Sequence, residues 1–194
     1  ATFLSCRERP EVMAVSIPRT FSDVLREPNL RVRTLADDGT YPNNEELPVL
    51  VYGQALRRSS AQVIERIFRA NGWTGAWRNG IFSYHHYHST AHEVLGIAGG
   101  SATVQLGGPD GWGLNVEAGD VLVLPAGVAH KNLGSDSDFQ VVGAYPDSGR
   151  DWDLKRGEPE DRPVADRSIE QVPLPASDPL YGDEGPLLEH WAEG

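Results

Sequence analysis

Between Ser60 and Asn71 apolar residues recur at helical spacing, with Val63, Ile64, Ile67 and Phe68 on one face. Ser60 can cap this stretch and Asn71-Gly72 can stop it, so it predicts one amphipathic helix devoted to core packing. Elsewhere the rhythm is shorter. Pro48–Tyr52 is apolar and β-branched and reads as a strand with proline at its entrance. Strand-like runs follow at Gly80–His88, Glu93–Ile97, Ser101–Leu106, Gly113–Val116, Asp120–Leu124 and Phe139–Tyr145. Turn signals such as Gly99-Gly100, Ala118-Gly119 and Pro125-Ala126-Gly127 divide them. Short strands at this spacing predict a sandwich or barrel, and neither βαβ alternation nor a solenoid period is present. Gly107–Gly111 lacks the Lys-Ser/Thr ending and following helix of a phosphate loop, and reads as a hairpin turn. Ile169–Pro175 is the one strand-like piece beyond residue 147.

Composition narrows the picture. The 194 residues suffice for one domain, and 39% hydrophobic residues can build a core. Met13 is the only methionine, so residues 1–12 read as an added or upstream extension, residues 13–175 as one domain and residues 176–194 as an acidic tail, frayed and solvated. The net charge of −11 argues against nucleic acid or an anionic membrane as partner. Most of it sits between Asp147 and Gly194, where 13 Asp and Glu face 5 Lys and Arg. Cys6 is the only cysteine, which rules out an intrachain disulfide, and no apolar run has the length of a membrane span. A soluble, cytoplasmic protein is expected.

Candidate chemistry gathers in Tyr84-His85-His86-Tyr87-His88. In an extended segment successive side chains alternate faces, so His86 and His88 project together while His85 and Tyr87 project the other way. Glu93 can return a carboxylate from the next strand, and His130 follows Pro125–Ala129. The spacing Gly80, five residues, His86-Tyr87-His88, four residues, Glu93, six residues, Gly100 resembles the first motif of the cupin family. Gly119, five residues, Pro125-Ala126-Gly127, two residues, His130 resembles the second, although Gly134 stands where that motif usually ends in Asn.

The resemblance implies a mainly β fold, a jelly-roll β-barrel with one or two short helices and a metal inside. The implied ligands are His86, His88, Glu93 and His130. Three imidazoles and a carboxylate suit one divalent transition ion, Fe, Mn, Ni, Co or Zn, without choosing among them. A catalytic reading makes the chain a metal-dependent oxidoreductase of dioxygenase type acting on a small oxygenated organic molecule, with Glu93, or else His92, moving a proton. The alternatives are a non-redox isomerase, lyase or ligand-binding module, and a metal-bound sensor without turnover. His92 is expected at the rim, pointing away from Glu93, and Phe82 and Tyr84 on the inward face. Exposed sheet edges and the family resemblance together suggest a homodimer.

Overall fold

A computed structural model describes residues 16–147 and 151–192. Cys6, Met13 and the extension read at residues 1–12 lie outside the described residues. The strands are β1 (Asn29–Leu35), β2 (Asn44–Gly53), β3 (Trp73–Asn79), β4 (Glu93–Gly99), β5 (Ser101–Leu106), β6 (Trp112–Glu117), β7 (Val121–Leu124), β8 (His130–Ser135) and β9 (Gln140–Pro146). They form an antiparallel six-stranded sheet in the order β1-β2-β7-β4-β9-β3 and a three-stranded sheet in the order β6-β5-β8. The expected mainly β architecture is present, but the two sheets are not closed into a barrel. No helix among the described residues is long and apolar enough to cross a membrane.

The strand alternation sorts the large sheet into two faces. Val49, Val51, Leu95, Leu122 and Leu124 turn toward the small sheet and pack with Val104, Leu106 and Val116. Leu50, Tyr52, Val94, Val121, Val123 and Val142 turn the other way. That outer face is covered by helix α1 (Ala61–Ala70), whose Ile64, Ile67 and Phe68 are buried as the helical spacing predicts. Asn71 closes α1, its backbone N–H bonded to the Ile67 carbonyl at 3.2 Å.

Three expectations need correction. Residues 80–88 are not a strand; the strand paired with β9 is β3, just before them. The chain leaves the ladder at Gly80, whose N–H is taken by the Asn79 side chain at 2.8 Å, a local bond that competes with strand pairing. Ile169–Pro175 is not a strand either: helix α2 (Val164–Glu170) runs into it, with Ala165 and Ile169 one turn apart facing inward. The acidic end does not fray over residues 178–191. Leu180, Tyr181 and, from helix α3 (Pro186–Trp191), Leu187 and Trp191 all join the outer core. Its acidic residues masked this periodic apolar set, and burying those four side chains stabilises the docked end by roughly 1.5–3 kcal/mol each.

Candidate metal centre

Two backbone arrangements bring the histidines together. His86 and His130 exchange backbone hydrogen bonds, N–H to carbonyl, at 3.2 and 2.9 Å, so their side chains leave neighbouring strand-like segments on one side. The ring centroids stand 4.0 Å apart. Tyr87 pairs likewise with Lys155, which keeps residues 86–88 extended although they belong to no sheet. The expected alternation therefore holds locally: His86 and His88 face the site, and His85 faces Tyr41 on the other side. The second motif contributes through its turn. Gly127, at φ +92°, donates its N–H to the His88 carbonyl at 2.8 Å, and a Cβ there would overlap the Asn43 carbonyl. The Asn43 amide oxygen accepts the Ala129 N–H at 3.1 Å and holds the approach to His130.

The cluster is buried, with His86, His88, Glu93 and His130 each at most 5% exposed. The three histidines offer nitrogens within 4.8 Å of one another. Glu93 Oε2 lies 3.3 Å from His88 Nε2 and 3.2 Å from His130 Nε2, and it has no hydrogen-bond partner. Each imidazole is oriented from behind by a carbonyl at Nδ1: Tyr84 at 3.2 Å for His86, Val128 at 3.1 Å for His130, and Asp153 for His88. Nδ1 is then the donor, which leaves the lone pair of every Nε2 in the site.

An orphaned buried carboxylate oxygen costs at least about 1–3 kcal/mol, so this arrangement calls for a cation. Bonds of roughly 2.1 Å to one ion put neighbouring ligand atoms about 3–4 Å apart, and the two separations at Glu93 Oε2 fall in that range. His86, His88 and His130 are the residues that could hold it, with Glu93 beside His88 and His130.

Electrostatics favour a neutral His86 ring and a charged Glu93 carboxylate. Burial, with His130 adjacent, drives the His86 ring down to about 3. Burial opposes charge on Glu93 as well, but His88 and His130 hold its carboxyl well below the usual range. His88 is raised: burial works against its cation, and the Glu93 carboxylate outweighs it.

His92 is not brought to this cluster. It points away from Glu93 as expected, but it lies buried rather than at the rim. Its ring packs on Trp191 at 4.8 Å and its Nδ1 accepts the Ala126 N–H at 3.0 Å. Burial lowers it to about 4. Phe82 lines the cavity as expected but is not core: it is 44% exposed at the mouth, stacked on Tyr84 at 5.0 Å.

A cavity of about 340 Å³ opens on the cluster. Sequence reasoning missed most of its wall. Trp77 on β3 donates from Nε1 to the Tyr145 hydroxyl at 3.0 Å, and its indole lies over Gly143, where a Cβ would collide with it. Tyr145 stands beside Glu93; burial, with that carboxylate, raises its hydroxyl far above the usual phenol range.

A strap, residues 151–155, crosses next to the site. Trp152 stacks on Tyr145 at 5.4 Å and meets the His88 ring edge-on at 5.4 Å, and Leu154 also lines the cavity. The strap is latched through Asp153, whose carboxylate accepts the Ser89 N–H at 2.6 Å and the Ser89 hydroxyl at 2.5 Å. The alternation Trp152-Asp153-Leu154-Lys155 was the available signal, hidden in a stretch read for its charge.

Several known proteins are similar. No family model matches the chain. Among solved structures, a DUF861 family protein from Thermotoga maritima is 22% identical over 37% of this chain and 75% of its own, at a TM-score of 0.28. Acireductone dioxygenase from Bacillus anthracis, with a cadmium ion in its active center, is 22% identical over 44% and 57%, at 0.31. DMSP lyase DddQ from Ruegeria pomeroyi is 16% identical over 78% and 61%, at 0.35. The sequence relation is much stronger with the uncharacterized protein YjlB of Bacillus subtilis (strain 168), 45% identical over 157 residues, 81% of this chain and 93% of that protein. The chain therefore belongs to the YjlB family.

Proposed function

We propose that this chain is a metal-dependent cupin enzyme, an oxidoreductase of dioxygenase type acting on a small oxygenated organic molecule. One divalent transition ion would be held by His86, His88, Glu93 and His130. The observation that carries the reading is a set of three buried, back-oriented imidazoles with nitrogens within 4.8 Å of one another, two of which stand 3.2–3.3 Å from a Glu93 Oε2 that has no hydrogen-bond partner. When bound, such an ion supplies Lewis acidity and, if redox-active, a centre for electron transfer.

The chain's own residues do the rest. Four protein ligands on a six-coordinate ion leave room for a substrate's oxygen atoms. The buried cavity keeps bulk water from the head of the substrate, and Trp77 and Tyr145 form its floor beside Glu93. Glu93, whose Oε2 has no hydrogen-bond partner, would be the base that takes a substrate proton. His92 would take no part, because its ring is engaged on the far side with Ala126 and Trp191.

A second reading draws on the Tyr145 hydroxyl beside Glu93. An acid and a base in one pocket would serve an isomerase or lyase without any redox step. The same proposal makes the chain a cytoplasmic homodimer with no nucleic-acid or membrane partner. The exposed edge strand β1 supports the pairing, and light scattering giving a clean monomer would remove it.

The functional test is elemental analysis of protein purified without added metal, followed by oxygen uptake against a panel of small oxygenated compounds. About one ion per chain and substrate-dependent uptake are expected. Turnover without oxygen use selects the second reading. Protein that neither carries nor takes up a divalent ion overturns both.

A further inference from the structure

The described residues include seven large hydrophobic side chains that remain exposed, and three of them ring the mouth of the metal-site cavity: Phe82 at 44%, Trp152 at 45% and Leu154 at 37%. Apolar groups left in water around one concave opening mark a surface made to be covered by a ligand. The rings are fixed before any ligand arrives. Trp152 lies nearly parallel to Tyr145, at 16°, and Phe82 nearly parallel to Tyr84, at 11°.

Polar recognition along the wall is scarce outside the cluster itself. Among the described residues the one cation lining the cavity, Arg78, is held by both carboxylate oxygens of Glu65 at 2.6 and 2.8 Å. The Asn79 side chain bonds the Gly80 N–H, and the Tyr145 hydroxyl receives the Trp77 indole N–H. Away from the proposed metal position, a phosphate would find no free cationic side chain among the described residues of the wall, and a sugar would find few partners for its hydroxyls.

We propose that the cavity takes a small molecule with a flat, largely apolar body and a single oxygen-rich head. The body lies against Trp152 and Phe82, and the head reaches the cluster of three histidines and Glu93. This deepens the proposed function and rests on it for the head alone; the body depends only on the chain's own rings. The strap that carries Trp152 also supplies the carbonyl behind His88, so one segment both recognises the ligand's body and orients a metal-binding ring. Trp152 is thereby a specificity-determining residue.

The test uses the full chain, assayed first for bound metal, then by calorimetric titration with four probes. These are 4-tert-butylcatechol (apolar body and paired oxygens), malonate (paired oxygens only), indole (flat body only) and glucose 6-phosphate. In metal-loaded protein 4-tert-butylcatechol should bind at least about tenfold tighter than malonate, with glucose 6-phosphate weakest. Trp152→Ala should bring the first ratio to within about threefold while metal content stays unchanged. Phe82→Ala, at an exposed position, should act in the same direction and serves if the first variant does not fold.

Malonate or glucose 6-phosphate binding as tightly as 4-tert-butylcatechol overturns the proposal. So does an unchanged ratio in the folded variants. If the chain holds no metal, the proposed function fails separately. Indole binding that Trp152→Ala weakens would then still support the apolar body site, and indole binding that it leaves intact would overturn it.

Discussion

Two buried polar clusters sit on opposite faces of the six-stranded sheet, and they are built to opposite ends. On the outer face Asp178, fully buried, has every lone-pair direction used. Oδ1 accepts the Leu180 and Tyr181 N–H groups at 2.8 and 3.0 Å; Oδ2 accepts the Tyr52 hydroxyl at 2.6 Å and the Leu187 N–H at 3.1 Å. On the inner face Glu93 Oε2 has no hydrogen-bond donor, and three imidazoles, each held from behind at Nδ1, offer nitrogens within 4.8 Å of one another. Burial alone does not tell these clusters apart. What differs is whether the protein completes its own hydrogen bonds. The saturated cluster clamps the C-terminal segment to the core, and the unsaturated one is left open to a cation.

That contrast can be broken experimentally. The largest effect expected is on metal content. His86→Ala or His130→Ala should lower metal affinity beyond the roughly 10–100-fold cost of losing an outer partner, with stability of the apo chain little changed. Asp178→Ala should do the reverse. It strands four buried donors and should cost about 3–5 kcal/mol in urea unfolding, while elemental analysis finds the metal undiminished. Metal loss in the Asp178 variant equal to that in the histidine variants would erase the distinction between the clusters.

Glu93→Gln sharpens the comparison within the open cluster. The amide oxygen can still coordinate and three imidazoles remain, so metal should be kept, more weakly. Turnover should fall by about two orders of magnitude, the loss typical of a positioned base. Full activity would take Glu93 out of the chemistry, and metal loss as complete as in His86→Ala would make it an anchor only.

A smaller effect is expected at the strap. Asp153→Ala releases the latch to Ser89 and slackens the carbonyl behind His88, so metal affinity should drop about tenfold in a competition titration. Unchanged affinity would mean that the backbone alone positions His88.

The smallest effect is a pH dependence on the saturated side. Burial raises the Asp178 carboxyl above its ordinary 3.8 despite four hydrogen bonds. The folded chain thus keeps this proton to higher pH than the unfolded chain. Its contribution is complete below pH 3.8 and declines as pH rises through the folded value. The stability difference between wild type and Asp178→Asn should therefore shrink with rising pH above 3.8, and a flat difference would contradict the assignment.

Part of the inner cluster was legible in the sequence because His86, His88 and Glu93 lie at short spacings that an extended backbone's two-residue period converts into geometry, while His130, far along the chain, was pointed to by the resemblance to the second cupin motif. His86 and His88 needed only an extended backbone to point together, and Glu93 only a return strand. Helix α1 was legible for the same reason, a local period ending at a local stop. The outer cluster was not. Asp178 meets Tyr52 across 126 positions, and nothing near either residue signals the other. The seemingly solvated end docks because Leu180, Tyr181, Leu187 and Trp191 find an apolar face already built by distant strands.

By itself, the sequence determined the mainly β class and the helix at residues 61–70, and its short spacings put His86 and His88 on one side, since each depends on neighbours a few positions apart. Tertiary structure alone decided that His92 turns to Trp191 and that Trp152 and Tyr145 complete the cavity. Those outcomes depend on which surfaces meet when the chain collapses, and a pattern of local spacings does not contain that.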